Sequence, residues 1–264
     1  MAINKDSNAY TFFFSIILVV VVGTLLTVVA VGLKPFQDAN LKMKKQLDMM
    51  ASVKIKLDAK EDAPAAFKKY VVKSMLLDAE GNVAQIDGKD AVYEGKDLAT
   101  KNDLAFSLDI KKQYKDWKGG VIDAKDMQYP LFECKMDKGE ILYVLPVVGT
   151  GLWGPIWGYI SIDGADMRTI YAAVFDHKTE TPGLGAEINI YERFQKQFED
   201  KKVIADEKGS FKKIVVTKGQ GAKGVASAVD GITGGTITSK GVEEMMERSI
   251  EIYNKYFKKN RNKS

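Results

Sequence analysis

An α+β domain behind a single membrane-crossing helix is the fold this sequence predicts, and three observations carry it. Residues 11–33, TFFFSIILVVVVGTLLTVVAVGL, hold no charged residue. Alternating or β-rich runs follow one another through the middle of the chain, separated by short turn signals. Helical spacing of apolar residues returns only in the C-terminal third. Strands in a mainly sequential run with few helices argue for a mainly antiparallel sheet with flanking helices.

At a rise of about 1.5 Å per residue, residues 11–33 are long enough to cross a hydrocarbon core of about 30 Å. A cleaved signal peptide has a shorter apolar core and small residues at its cleavage site. Lys34-Pro35 follows here instead, so the segment reads as a retained anchor in the lipid bilayer, preceded by a tail at 1–10. From Phe36 to about Ser52, lysines and polar residues alternate with Leu41, Met43, Leu47, Met49 and Met50, the pattern of a membrane-proximal helix. Residues 34–60 are assigned to this helix and a linker, and 61–264 to one folded domain with its own core.

Within the domain, strands are expected over 70–77, 130–135, 141–148, 157–162, 169–175 and 211–216. Turns are expected at Glu80-Gly81-Asn82, Asp137-Lys138-Gly139 and Asp163-Gly164-Ala165. The polar stretch 87–113 reads as an insertion or a lid. Ile188, Ile190, Tyr191, Phe194 and Phe198 keep helical spacing over 187–198. A last helix is predicted to start near Ser239, a good N-cap residue, with Val242, Met245, Met246, Ser249, Ile250, Tyr253, Tyr256 and Phe257 at helical spacing. The lysine-rich tail from Lys258 reads as frayed.

Composition excludes several classes of function. A formal net charge of +4, with no stretch that combines dense Lys/Arg with spaced aromatics, gives no basis for nucleic-acid binding. The lone Cys134 permits no intrachain disulfide and no iron–sulfur cluster held by this chain alone, and reads as a small core residue. With His177 the only histidine, the usual zinc constellations are absent and no metal site is predicted. No G-x-S-x-G element supports a hydrolase, and no G-x-G-x-x-G after a strand supports nicotinamide binding, so no catalytic residue is assigned.

Three glycine-rich segments carry the chemistry. Gly149-Thr-Gly-Leu152-Trp153-Gly154-Pro155-Ile-Trp157 supplies flat apolar surface on a constrained backbone. In His177-Lys-Thr-Glu180-Thr181-Pro182-Gly183-Leu184-Gly185-Ala-Glu187, Pro182 fixes the backbone while Gly183 and Gly185 permit left-handed turns that expose N–H groups. Asp230-Gly-Ile-Thr233-Gly234-Gly235-Thr236-Ile-Thr238-Ser239 is a hydroxyl-rich turn running into a helix, whose unpaired N–H groups suit an anion beside Thr236.

The last segment resembles the S/T-G-A/G-T-x-T signature of the covalent FMN-binding domains shared by the C subunit of the sodium-translocating NADH:quinone oxidoreductase and the G subunit of the Rnf complex. The second matches that family's E-T-P-G-L-G loop at all six positions, and the tryptophan loop, this loop, the turn and a C-terminal helix occur in the family's order. Thr233 stands where Ser is commoner and Gly235 where Ala is commoner. The resemblance covers nearly the whole chain. On length and the Gly-Leu-Gly-Ala-Glu continuation, it is stronger to the sodium-translocating enzyme than to Rnf.

The resemblance implies FMN joined to Thr236 through a phosphoester, attached by a separate flavin transferase that uses FAD. It implies cofactor contacts at Leu152, Trp153, Glu180, Thr181, Gly183, Leu184, Gly185, Lys218, Thr233, Gly234, Gly235 and Thr238. Thr233 and Thr238 are expected to bond the phosphate, Lys218 to neutralise it, and Asp230 to help the motif be recognised. It implies a one-electron carrier in a six-subunit assembly of the bacterial inner membrane, between an iron centre and membrane-subunit flavin, with no catalysis by this chain alone. The alternatives are an Rnf-type electron carrier and, in a different class, an anchored extracytoplasmic sensing domain without a redox role. Lysines 34, 42, 44 and 45 after the apolar segment favour a cytoplasmic domain by the positive-inside tendency. The resemblance implies an extracytoplasmic one.

Overall fold

The computed structural model describes residues 7–204, 210–219 and 221–261. Helix α1 (Asn8–Ser52) is continuous through Pro35, so the apolar segment and the predicted membrane-proximal helix are one element. Its apolar part is exposed throughout and is long and apolar enough to cross a membrane. The compact domain is the unit Gln46–Ser264. Met49, Met50 and Val53 are buried within it, and Ser161 Oγ donates to the Ser52 carbonyl at 2.5 Å. Residues 46–60 therefore belong to the folded unit rather than to a linker.

After α2 (Ala63–Tyr70) come β1 (Val71–Leu77), the small hairpin β2 (Gln85–Ile86) and β3 (Lys89–Asp90), β4 (Val92–Glu94), α3 (Leu104–Ser107) and α4 (Ile110–Lys118). Then follow β5 (Tyr129–Lys135), β6 (Ile141–Thr150), β7 (Pro155–Asp163), β8 (Ile170–His177), β9 (Val215–Thr217), β10 (Ala228–Asp230) and α5 (Thr236–Asn260). The main sheet has the order β4-β1-β5-β6-β7-β8 and every pairing in it is antiparallel, as predicted. The short β9–β10 pair is parallel.

Both faces of the sheet are covered, and period-2 alternation sorts its side chains between them. Leu131, Leu145, Val147, Ile160 and Phe175 join one cluster with Met245, Ile250, Tyr253 and Phe257 of α5. Phe132, Cys134, Leu142, Val144 and Tyr159 join the other, with Met49, Met50, Phe67 and Phe106. Burial pushes the Cys134 thiol up to about 12, consistent with an inert core residue. Tyr253 fixes α5 across the sheet, its hydroxyl lying 2.8 Å from the Pro130 carbonyl and 3.1 Å from that of Pro146.

Four expectations are corrected. The segment 187–198 is not an α-helix but two 3-10 turns, Ala186–Asn189 and Gln195–Phe198. Tertiary burial decides this: Ile188, Phe194 and Phe198 pack into the core, the two phenylalanines against Phe175, while Ile190 and Tyr191 stay exposed. Residues 87–113 are not a detached lid, since they supply the edge strand β4 and a helix whose Ala105 and Phe106 are buried. The strand predicted over 211–216 is confined to Val215–Thr217, with Phe211 forming only an isolated bridge to Ile204. The predicted frayed tail is helical to Asn260, held by Lys259 Nζ donating to the Glu80 carbonyl at 2.8 Å and to Asn82 at 2.6 Å; residues 262–264 lie outside the described residues, as do 1–6 of the predicted N-terminal tail.

Candidate functional site

Three loops meet at the N-terminal end of α5, and Glu180 joins them. It is 5% exposed, a burial that a carboxylate tolerates only when its oxygens are satisfied. Trp153 N–H donates to Oε1 at 2.8 Å, Leu152 N–H to Oε2 at 3.2 Å, and the Thr238 hydroxyl to Oε2 at 2.5 Å. One residue thus ties the β6–β7 turn, its own loop and the first turn of α5. Glu180 N–H in turn donates to His177 Nδ1 at 3.2 Å, which fixes where the loop leaves β8.

Two glycines let the loops approach closely. Gly234 has φ +82, and a Cβ there would stand 2.5 Å from the Gly183 carbonyl oxygen. Gly185 has φ +137, and a Cβ there would overlap the Thr238 side chain. The expectation that the 183–185 loop offers open N–H groups is corrected at Gly183, whose N–H donates to Glu187 Oε1 at 2.6 Å. Leu184 and Ala186 N–H both turn back to the Thr181 carbonyl. The Gly183 N–H bond, outweighing partial burial, holds the Glu187 carboxyl below the usual glutamate range.

α5 begins at Thr236 with Gly235 as its N-cap, three residues before the predicted start. The turn closes through Gly235 N–H to the Ile232 carbonyl, and the helix propagates at once with Ser239 N–H to the Gly235 carbonyl. Ser239 is therefore not the cap: its Oγ lies inside the helix and accepts from Ile232 N–H at 2.9 Å. Thr236 is the first residue of the helix and lines a groove beside it, at the helix end where unpaired N–H groups and the positive end of the dipole concentrate.

That groove, of about 200 Å³, is also lined by Thr233, Gly234, Lys218, Ser239 and Lys240. Among the described lining residues the ionisable side chains are Lys218 and Lys240, both cations. Just outside it, the buried Glu243 carboxylate accepts from Val216 N–H at 2.6 Å and pairs with Lys240 at 2.6 Å and Lys213 at 3.1 Å. Burial acts to raise the Glu243 pKa, but Lys240, the Val216 N–H and Lys213 together bring it below the ordinary value. Asp230 Oδ1 accepts from Ala222 N–H at 2.8 Å and so closes the loop that carries Lys218.

The structure gathers Thr233, Gly234, Thr236 and Lys218 at one groove. Thr238 is not among the groove residues: fully buried, it gives its hydroxyl to Glu180. Trp153 and Ile237 are 62% and 60% exposed, and Leu184 is exposed as well. Trp157 leaves the tryptophan loop for β7, where Lys111 Nζ stands 3.7 Å from its ring centroid. Sequence reasoning missed Lys240 and Glu243. With the helix begun at Thr236 rather than Ser239, Lys240 falls at i+4 from Thr236 on the same face, which is the signal that finds it.

A crystal structure of the C subunit of the Na(+)-translocating NADH-quinone reductase from Parabacteroides distasonis superposes with a TM-score of 0.65 and 34% identity, over 85% of this chain and 96% of that one. The chain belongs to the NqrC family. The FMN-binding domain family model matches residues 151–251, which take in all three loops and the groove. The corresponding Vibrio anguillarum protein, also a C subunit of the Na(+)-translocating NADH-quinone reductase, is 28% identical over 94% of this chain and 92% of its own length. The Shewanella oneidensis NqrC structure, at 22% identity and a TM-score of 0.61 over 84% of this chain and 99% of that one, shares the fold.

The site of this NqrC-family chain fits FMN. Its groove offers hydroxyls, two ammonium groups and a helix N-terminus to a phosphate, and exposed apolar side chains on the adjoining loops suit a flavin ring.

Proposed function

We propose that this chain is the flavin-bearing electron-transfer subunit of a membrane-bound, sodium-translocating NADH:quinone oxidoreductase, with FMN joined to Thr236 by a phosphoester. The observation that carries the reading is the placement of Thr236: first in its helix, and on a groove whose ionisable lining residues are lysines. In the attachment step Thr236 Oγ forms a bond to the FMN phosphorus of FAD, the pyrophosphate P–O bond breaks, AMP leaves, and the threonine proton is released. A flavin transferase supplies the catalysis and this chain is its substrate.

The bound flavin supplies one-electron chemistry, and the chain's residues hold and orient it. Lys218 and the Thr233 hydroxyl face the phosphate end. Glu180 keeps the Leu152–Trp153 turn and the 181–185 loop fixed relative to Thr236, so that Trp153 and Leu184 form the apolar surface for the ring. Gly185, Gly234 and Gly235 allow the close approach of those loops, and Gly183 supplies a positive-φ turn. Thr181 closes its loop through its carbonyl, and Thr238 acts through Glu180 rather than on the phosphate.

Residues 11–33 anchor the chain in the inner membrane with the domain on the extracytoplasmic side. Electrons pass between an iron centre and flavin held by other members of a six-subunit assembly. Covalent attachment retains the cofactor where no cytoplasmic pool replaces it.

Intact mass of the chain co-produced with a flavin transferase, beside Thr236→Ala, tests the attachment. The expected result is a gain of one FMN less one water that disappears in the variant. A wild-type chain that stays unmodified, with the transferase active on another acceptor, overturns it.

A further inference from the structure

We propose that Lys240 is a phosphate-binding residue of this site, held for that role by Glu243. The inference rests on the covalent FMN reading and extends it to a residue with no assigned function.

Thr236 and Lys240 are one turn apart on the same face of α5 and line the same groove. A phosphodiester on Thr236 carries its single negative charge into a space that no carboxylate among the described residues lines. A lysine ammonium has three N–H donors, and one of them bonds Glu243 Oε2 at 2.6 Å. That bond locates the ammonium on an otherwise flexible stem while two donors remain for an anion.

Glu243 does not cancel this charge alone, because Lys213 lies 3.1 Å from its other oxygen and the Val216 N–H also donates to it. The same carboxylate thereby ties β9, whose next residue after Thr217 is Lys218, to the helix that carries Thr236. Lys218 and Lys240 are set on two elements joined through Glu243. Lys240, on the rigid helix, makes the fixed contact, whereas Lys218 sits in a loop beside Gly219, which has φ +61.

The test uses the full chain, co-produced with a flavin transferase, with its lysine side chains labelled with 15N, in a detergent free of phosphorus. The phosphorus signal is then that of the attached FMN, and 31P–15N dipolar recoupling on frozen samples detects a lysine nitrogen bonded to it at about 2.8 Å N···O. The expected result is 31P dephasing in wild type and in Lys218→Arg, lost when Lys240→Arg is added to Lys218→Arg, which keeps both charges but removes the labelled nitrogens. No dephasing in Lys218→Arg, or dephasing that survives in the double variant, overturns the assignment. Failure of the attachment reading looks different: no FMN adduct in the intact mass of wild type, or an adduct that persists in Thr236→Ala.

Discussion

The Thr238 hydroxyl donates to Glu180 Oε2 at 2.5 Å, linking the first turn of α5 to a loop 58 residues earlier in the chain. Three donors converge on that one buried carboxylate. Glu180→Ala leaves the Trp153 N–H without its acceptor and the Leu152 N–H with only the Thr238 hydroxyl at 3.3 Å, and is expected to cost about 2–4 kcal/mol. Glu180→Gln keeps the shape but offers one acceptor oxygen, at about 1–2 kcal/mol. Chemical denaturation of the two variants beside wild type checks the order; an alanine variant as stable as wild type contradicts it.

Gly183 and Gly185 differ in what surrounds them, although both have positive φ. A Cβ at Gly183 meets nothing within 4 Å, so Gly183→Ala bears only backbone strain, about 1 kcal/mol. Gly185→Ala adds a collision with Thr238, and about 2–4 kcal/mol is expected. Equal melting temperatures for the two variants would show that the loops do not meet as described.

Acid should loosen the 183–187 loop before the domain unfolds. The Gly183 N–H bond depresses the Glu187 pKa in the folded state, so its contribution is fully present above the ordinary glutamate value near 4.5 and is lost as pH falls through the lower folded value. The amide exchange protection of Gly183 should fall in that acid window and be weak at every pH in Glu187→Gln. A protection that is flat with pH down to global unfolding rules this out.

Tyr253→Phe removes a fully buried hydroxyl shared by the Pro130 and Pro146 carbonyls. A loss of about 1–2 kcal/mol in denaturant unfolding is expected, with flavin attachment unchanged because the change lies far along α5 from Thr236. A variant with wild-type stability but impaired attachment would reverse that assignment of roles.

Most of the sheet was legible because its signal is local: alternation over 130–135 and 141–148 yields β5 and β6 within two residues at each end. The glycine-rich loops were legible as motifs, and the structure brings Lys218 to Thr233, Gly234 and Thr236. What misled was long-range packing. Apolar spacing over 187–198 is the same for a helix and for two turns pressed onto β8, and only the burial of Phe194 and Phe198 decides between them. The early start of α5 was hidden because Ser239 is a better cap by composition than Gly235, and Lys240 and Glu243 were hidden with it.

The bond between Thr238 and Glu180 and the seating of Gly234 on Gly183 make the presentation of Thr236 a late event in the life of the chain. An unfolded or half-synthesised polypeptide carries the same T-G-G-T letters but not the turn, since the turn's shape depends on segments that must first close a long loop at an entropic cost. Under the proposed attachment, Thr236 therefore reports on completed folding, and a modifying enzyme that reads the turn rather than the letters discriminates finished molecules from defective ones.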